Sequence, residues 1–195
     1  ESWFGYPPNN TAGPDFPEVG VELKVIPYIK NGKGIRAKER LVCNLIDYMG
    51  EYKNRFQTSD FWSKCQNLLI MTYRYQKEVD KKDCCIDEAI LFGFPEEDRL
   101  IIEQDWNKIM AKIKAGKAHL ITEGDTLYLA ACTKGESSET MRQQPFSTVP
   151  AKQRAFSLKP SYVTRILERF IFGGYEDEHV IKSVEWMRGV TFEEA

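Results

Sequence analysis

Residues 13–28 read GPDFPEVGVELKVIPY. Successive side chains of a strand point to opposite faces. Val21, Leu23 and Val25 therefore make one continuously apolar face, while Glu22, Lys24 and Ile26 share the other. Glu22 and Lys24 stand two residues apart, about 7 Å along the backbone. Pro14 and Pro17 stiffen the loop ahead of the strand, and that loop brings Asp15 toward the charged face. A core-bound strand with a carboxylate and an ammonium on one face is the feature to be explained.

Further strands follow. Asn31-Gly32-Lys33-Gly34 is a turn signal. RLVCNLIDY (40–48) reads as a second strand, although a helix fits it almost as well. NLLIMTYRY (67–75) and EAILFGF (88–94) read as the third and fourth strands. Pro95 opens the clearest helix, with acids in its first turn, lysines in its last and Gly116 beyond. Ile101, Ile102, Trp106, Ile109, Met110 and Ile113 form its predicted buried stripe. TLYLAACTKG (126–135) is another strand leading into a polar loop, and SYVTRILERFIFGG (161–174) closes as a helix ended by glycines. Strands first, with helices between and after them, predict a mixed α/β or α+β domain over residues 1–172. Residues 173–195, acidic and weakly periodic, read as a linker or the start of a following region.

The chain has 195 residues, 42% hydrophobic and 29% charged, an ordinary composition for a soluble globular domain. No apolar run approaches the roughly 20 residues of a membrane span, and no signal peptide is recognisable. The start at Glu1, without Met and within a helix-like stretch, reads as a piece of a longer chain. Five cysteines lack a C-x-x-C pair and only two histidines, His119 and His179, accompany them, so zinc is not expected. Reduced thiols in a cytoplasmic protein are the expectation, with His119 structural. Net charge is −2 overall, yet residues 108–172 hold 11 Lys+Arg against 5 Asp+Glu. Such a segment binds a polyanion or simply decorates a solvated face; composition leaves both open.

Asp15 and Glu22 have the chemistry to hold Mg²⁺ from two directions, with the Leu23 carbonyl as a third oxygen. Lys24 would then orient an attacking water or stabilise charge on a phosphate. The same residues also fit an ordinary ion-paired strand, and spacing alone does not separate the two.

The wider wording goes further. WFG…PDFPEVGVELKVIPY, AKERLVCNLIDY, IIEQDWNKIMAKIKAGKAHLITEG, EGDTLYLAACTKG and AKQRAFSLKPSYVTRIL occur in an order that resembles the MutH family. These are GATC-directed endonucleases of the PD-(D/E)xK fold, a central mixed sheet flanked by helices, and the resemblance is strongest to the type II restriction enzymes of the Sau-three-A group. It covers nearly residues 1–172. It implies Asp15 and Glu22 as metal ligands, Lys24 as the catalytic lysine, and Glu1 and Lys64 as further functional residues. It matches Cys132, Thr133, Lys134 and Gly135 to the loop that reads GATC bases, and Arg154, Lys159 and Ser161 to an element near the DNA backbone.

The function implied is Mg²⁺-dependent cleavage of double-stranded DNA at GATC. The alternatives are a methyl-directed mismatch-repair nickase of hemimethylated GATC and a non-cutting GATC-binding module. The family's N-terminal helices have no counterpart before Glu1. The restriction group also carries a second MutH-like domain, and a DNA-induced dimer is a further expectation of the resemblance.

Overall fold

The computed structural model describes residues 13–135, 140–173 and the backbone of 180–183. In chain order the elements are β1 (Glu22–Asn31), β2 (Gly34–Ala37), β3 (Leu41–Leu45), α1 (Asp60–Cys65), β4 (Asn67–Arg74) and β5 (Glu88–Gly93). They continue with α2 (Glu96–Lys114), β6 (Leu129–Thr133), β7 (Met141–Arg142), β8 (Ala151–Lys152), β9 (Arg154–Leu158), α3 (Pro160–Ile166) and β10 (Val180–Ser183). The class is mixed α+β. Among the described residues, no helix is long and apolar enough to cross a membrane.

The chain divides into two compact units. One gathers residues up to Leu41, Cys65–Phe94 and those from Pro160 on; the other takes Val42–Lys64 and Pro95–Lys159.

The first unit is built on a five-stranded sheet in the order β10-β5-β4-β1-β2. β1 and β4 run parallel, with Glu22 opposite Leu68 and Lys24 opposite Ile70, and the other pairings are antiparallel. β4 is central, and Leu68 to Tyr73 are buried in succession, as expected of a strand covered on both faces. Leu23 and Val25 pack against Met71, Ile86 and Ala89. α3 lies on β2, where the Ala37 amide donates to Thr164 Oγ1 at 3.0 Å.

β2, a strand of only four residues, escaped the sequence reading. It forms a tight hairpin with β1 in which Asn31 faces Gly34 across a two-residue turn. Val180–Ser183, within the acidic segment, pairs along the outer edge of β5.

The second unit carries a three-stranded sheet in the order β3-β9-β6 and the small hairpin β7-β8. The segment 40–48, ambiguous in sequence, is a strand over Leu41–Leu45. α2 packs on β6 in this unit. Its buried residues are Asp98, Ile102, Asp105, Trp106, Ile109, Met110 and Ile113, while Ile101 is only half-buried. Phe61 and Phe156, ring centroids 5.5 Å apart, extend this core.

Candidate active site

The chain reaches β1 through a narrow turn. Phe16 and Val21 bridge antiparallel, with the Phe16 amide donating to the Val21 carbonyl at 2.9 Å and the reverse bond at 3.2 Å. Gly20 closes the turn at φ +64°, a left-handed conformation that a residue without Cβ adopts at no steric cost. The closure sets Asp15 beside the start of β1.

Asp15 and Glu22 then secure one another reciprocally. The Asp15 amide donates to Glu22 Oε2 at 3.1 Å, and the Leu23 amide donates to Asp15 Oδ2 at 3.0 Å. Lys24 Nζ donates to Glu22 Oε1 at 2.8 Å, which completes the trio. Glu22 is only 2% exposed. The charged face of β1 is therefore the better covered one, because Leu23 and Val25 are half-buried while Glu22, Ile26 and Tyr28 are buried. Alternation identified which residues share a face, but the apolar face is not the more deeply buried.

Leu23 lies between Glu22 and Lys24 on the strand. Its amide points at Asp15, and within a strand the N–H and C=O of one residue leave on the same side. Its carbonyl is thus directed to the Asp15 side of β1. That edge is not taken by β2, which pairs only with Tyr28–Asn31. Two carboxylates and a carbonyl are hard oxygen donors, the class that Mg²⁺ prefers. Among the described residues no cluster of three or more His, Cys, Asp or Glu side chains forms. A cation needing few protein ligands fits the donors present.

The other sequence candidates divide sharply. Glu1 lies outside the described residues. Lys64, in the last turn of α1, is half-buried and belongs to the second unit. Thr133, Lys134 and Gly135 are exposed where β6 ends, and Ser161 is exposed in the first turn of α3. Cys132 is 5% exposed, so its side chain serves the core.

Arg154 and Lys159 are engaged internally. Arg154 donates from Nη1 to the Ala131 carbonyl and from Nη2 to the Ile121 carbonyl, both at 2.7 Å. Lys159 Nζ donates to the Glu123 carbonyl at 2.6 Å and to the Thr126 carbonyl. Both cations hold loops in place. The five cysteines are free thiols, four of them buried, and His119 Nδ1 lies 3.0 Å from Gln144 Nε2 in a structural contact.

Two residues around the β6 loop escaped the sequence reading. Asp105 is buried on α2, and its carboxylate accepts from the amides of Leu127, Tyr128 and Leu129. Its spacing gave a signal, since it lies three residues after Ile102 and four before Ile109 on the buried stripe. Gln153 bonds the backbone of Lys134. That contact depends on the β6–β9 register, which has no local sequence signature.

Comparison with known proteins identifies relatives of the chain. The DNA mismatch repair enzyme MutH pattern matches residues 4–105, a span that includes Asp15, Glu22, Lys24 and Lys64. The type II restriction enzyme Sau3AI of Staphylococcus aureus is 42% identical over 186 residues, 93% of this chain and 38% of that protein. The DNA mismatch repair protein MutH of Shewanella woodyi is 33% identical over 165 residues, 83% of this chain and 70% of its own. A MutH of Vibrio vulnificus is 24% identical over 171 residues. The chain thus spans well under half the length of the restriction-enzyme relative.

Proposed function

Because the chain belongs to the MutH family, we propose that it is the catalytic part of a type II restriction endonuclease. In this reading it hydrolyses phosphodiester bonds of double-stranded DNA at GATC. Pro14-Asp15 and Glu22-Leu23-Lys24 supply the PD-(D/E)xK pattern at the start of a mixed sheet, and we assign the fold accordingly. The observation that carries the reading is the reciprocal bonding of Asp15 and Glu22 with Lys24 held against them. A buried ion pair is a weak source of stability compared with apolar side chains of similar volume. A carboxylate 2% exposed and paired to a lysine on a core strand therefore has a chemical rationale beyond folding.

Asp15, Glu22 and the Leu23 carbonyl would hold Mg²⁺. When bound, the ion supplies Lewis acidity toward water and phosphoryl oxygens. The chain's own residues prepare that site. The Asp15 and Leu23 amides fix the orientation of the two carboxylates, so no reorganisation is needed as charge develops. Lys24 places an ammonium beside them, where it orients the attacking water and offsets negative charge on the phosphate. Thr133, Lys134 and Gly135 are the exposed base-reading candidates: a lysine donates to guanine O6 or N7, and loop amides and hydroxyls reach other base edges or phosphates. Ser161 is a backbone contact of the same reading. Lys64 is a further catalytic candidate.

The test is digestion of a plasmid of known sequence with Mg²⁺, followed by end-sequencing. Ends confined to GATC are expected. Asp15→Ala and Glu22→Ala should each lower the rate more than about 10²-fold while retaining the parent circular dichroism. Cleavage by either variant at the parent rate would overturn the mechanism. The 70% span of the Shewanella relative also supports a second reading, a nickase of hemimethylated GATC. Linear plasmid produced from unmethylated substrate without partner proteins would rule that out, whereas nicked circles would favour it.

A further inference from the structure

Lys134 is an exposed side chain on a tightly held backbone. Its amide donates to the Gln153 carbonyl at 3.0 Å, and its own carbonyl accepts from Gln153 Nε2 at 2.8 Å. One residue therefore grips Lys134 on both of its peptide groups. The Gln153 amide in turn donates to the Thr140 carbonyl at 2.9 Å, which ties the same residue to the far side of the polar loop. Gln153 Oε1 is buried without a partner among the described residues, so the side-chain amide is committed on its donor side to Lys134. An orphaned buried acceptor costs stability that an apolar side chain of similar size would not. Packing alone gives no reason for a glutamine at this position.

We propose that Gln153 is a positioning residue for sequence recognition, aiming the Lys134 ammonium by fixing its backbone on both sides. The inference rests on the reading of Lys134 as a contact to base edges. A flexible lysine is a poorly directed donor with rotamer entropy to lose on binding. Discrimination by hydrogen bonds to bases depends on geometry, and a good bidentate contact contributes about 1–3 kcal/mol against the wrong base. Removing the Nε2 bond leaves the main-chain pairing intact while allowing the Lys134 peptide to turn. The loss should then fall on selectivity and leave the bond-breaking step alone.

The experiment uses the whole chain with a GATC duplex and duplexes carrying one altered base pair. Gln153→Met keeps the length and removes the donor; Gln153→Glu keeps the shape and cannot donate to the carbonyl when ionised. Each variant is compared with the parent by thermal unfolding, by KM and kcat, and by the ratio of cognate to altered-site kcat/KM. The expected result is a rise in KM for GATC and a roughly 10-fold fall in that ratio, with kcat at saturating DNA unchanged. In a Lys134→Ala background, Gln153→Met should produce no further loss of selectivity. Unchanged selectivity in a folded Met or Glu variant, with Lys134→Ala impaired, overturns the role of Gln153 alone. Unchanged selectivity in Lys134→Ala overturns the reading of Lys134 as well. A selectivity loss that persists undiminished without Lys134 also rejects the proposal, because Gln153 would then act by another route.

Discussion

At the residue scale, the same side-chain chemistry is put to opposite uses. Arg154 and Lys134 are both cations at the β6–β9 pair, and the family resemblance matched both to elements that contact DNA. The structure turns the Arg154 guanidinium inward, where two nitrogens of its planar fork each bond a carbonyl. Arg154→Met should therefore lower the stability of the protein by about 2–4 kcal/mol, since two buried carbonyls lose a charged donor. The salt dependence of DNA binding should stay at the parent slope, whereas loss of a phosphate contact would reduce that slope by about one. Denaturant titration and binding at several salt concentrations measure the two effects. Glu22 shows what was legible at this scale: its companions Asp15 and Lys24 could be named from spacing and a stiffened loop. Its near-complete burial could not, because alternation shows which residues share a face and not how deeply that face is covered.

At the element scale, α2 sets the position of β6. Three consecutive amides at the approach to β6 donate to Asp105, which sits on the helix between Ile102 and Ile109. The strand that ends in the Thr133–Gly135 loop is thus pinned at its other end by a single carboxylate. Asp105→Ala would strand those amides, and a loss of about 3 kcal/mol or more is expected in urea unfolding, with α2 helicity retained by circular dichroism. Strands and the long helix were readable because their apolar periodicity is local. β2 was not, because four residues are too few to establish a period. The inward acid on α2 lay on the predicted stripe, but the stripe was drawn from apolar residues alone.

At the scale of the whole molecule, two carboxylates of the second unit are shifted in opposite directions and so contribute oppositely to stability in acid. Burial pushes the Asp125 carboxyl up, but the Lys112 ammonium at 2.6 Å and the Thr122 amide outweigh it and hold the group below its ordinary range. Its contribution is therefore present above the unfolded pKa, near 4, and is lost as pH falls through the lower folded value. Burial pushes Glu51 up despite its bonds from the Asp60 amide, Trp106 and Asn54. Its contribution is greatest at low pH and is lost as pH rises through the raised value. Asp125→Asn removes only the first effect. The variant should be less stable than the parent at pH 7, with the difference closing below about pH 4, as read by denaturant titration across that range. The division into two units was invisible in sequence because the second unit is assembled from two separated stretches, 42–64 and 95–159. The pairing of β10 with β5 carries a different kind of consequence. β5 reads EAILFG, an apolar strand with no proline, and β10 occupies its outer row of amides and carbonyls through Val180, Ile181 and Ser183. An uncovered edge of that composition is a template for cross-β association between copies. The four residues of β10, inside a stretch read as a linker or the start of a following region, cover that edge, and the slipped register between Ile181 and Ser183 makes the edge they present a poorer template in turn.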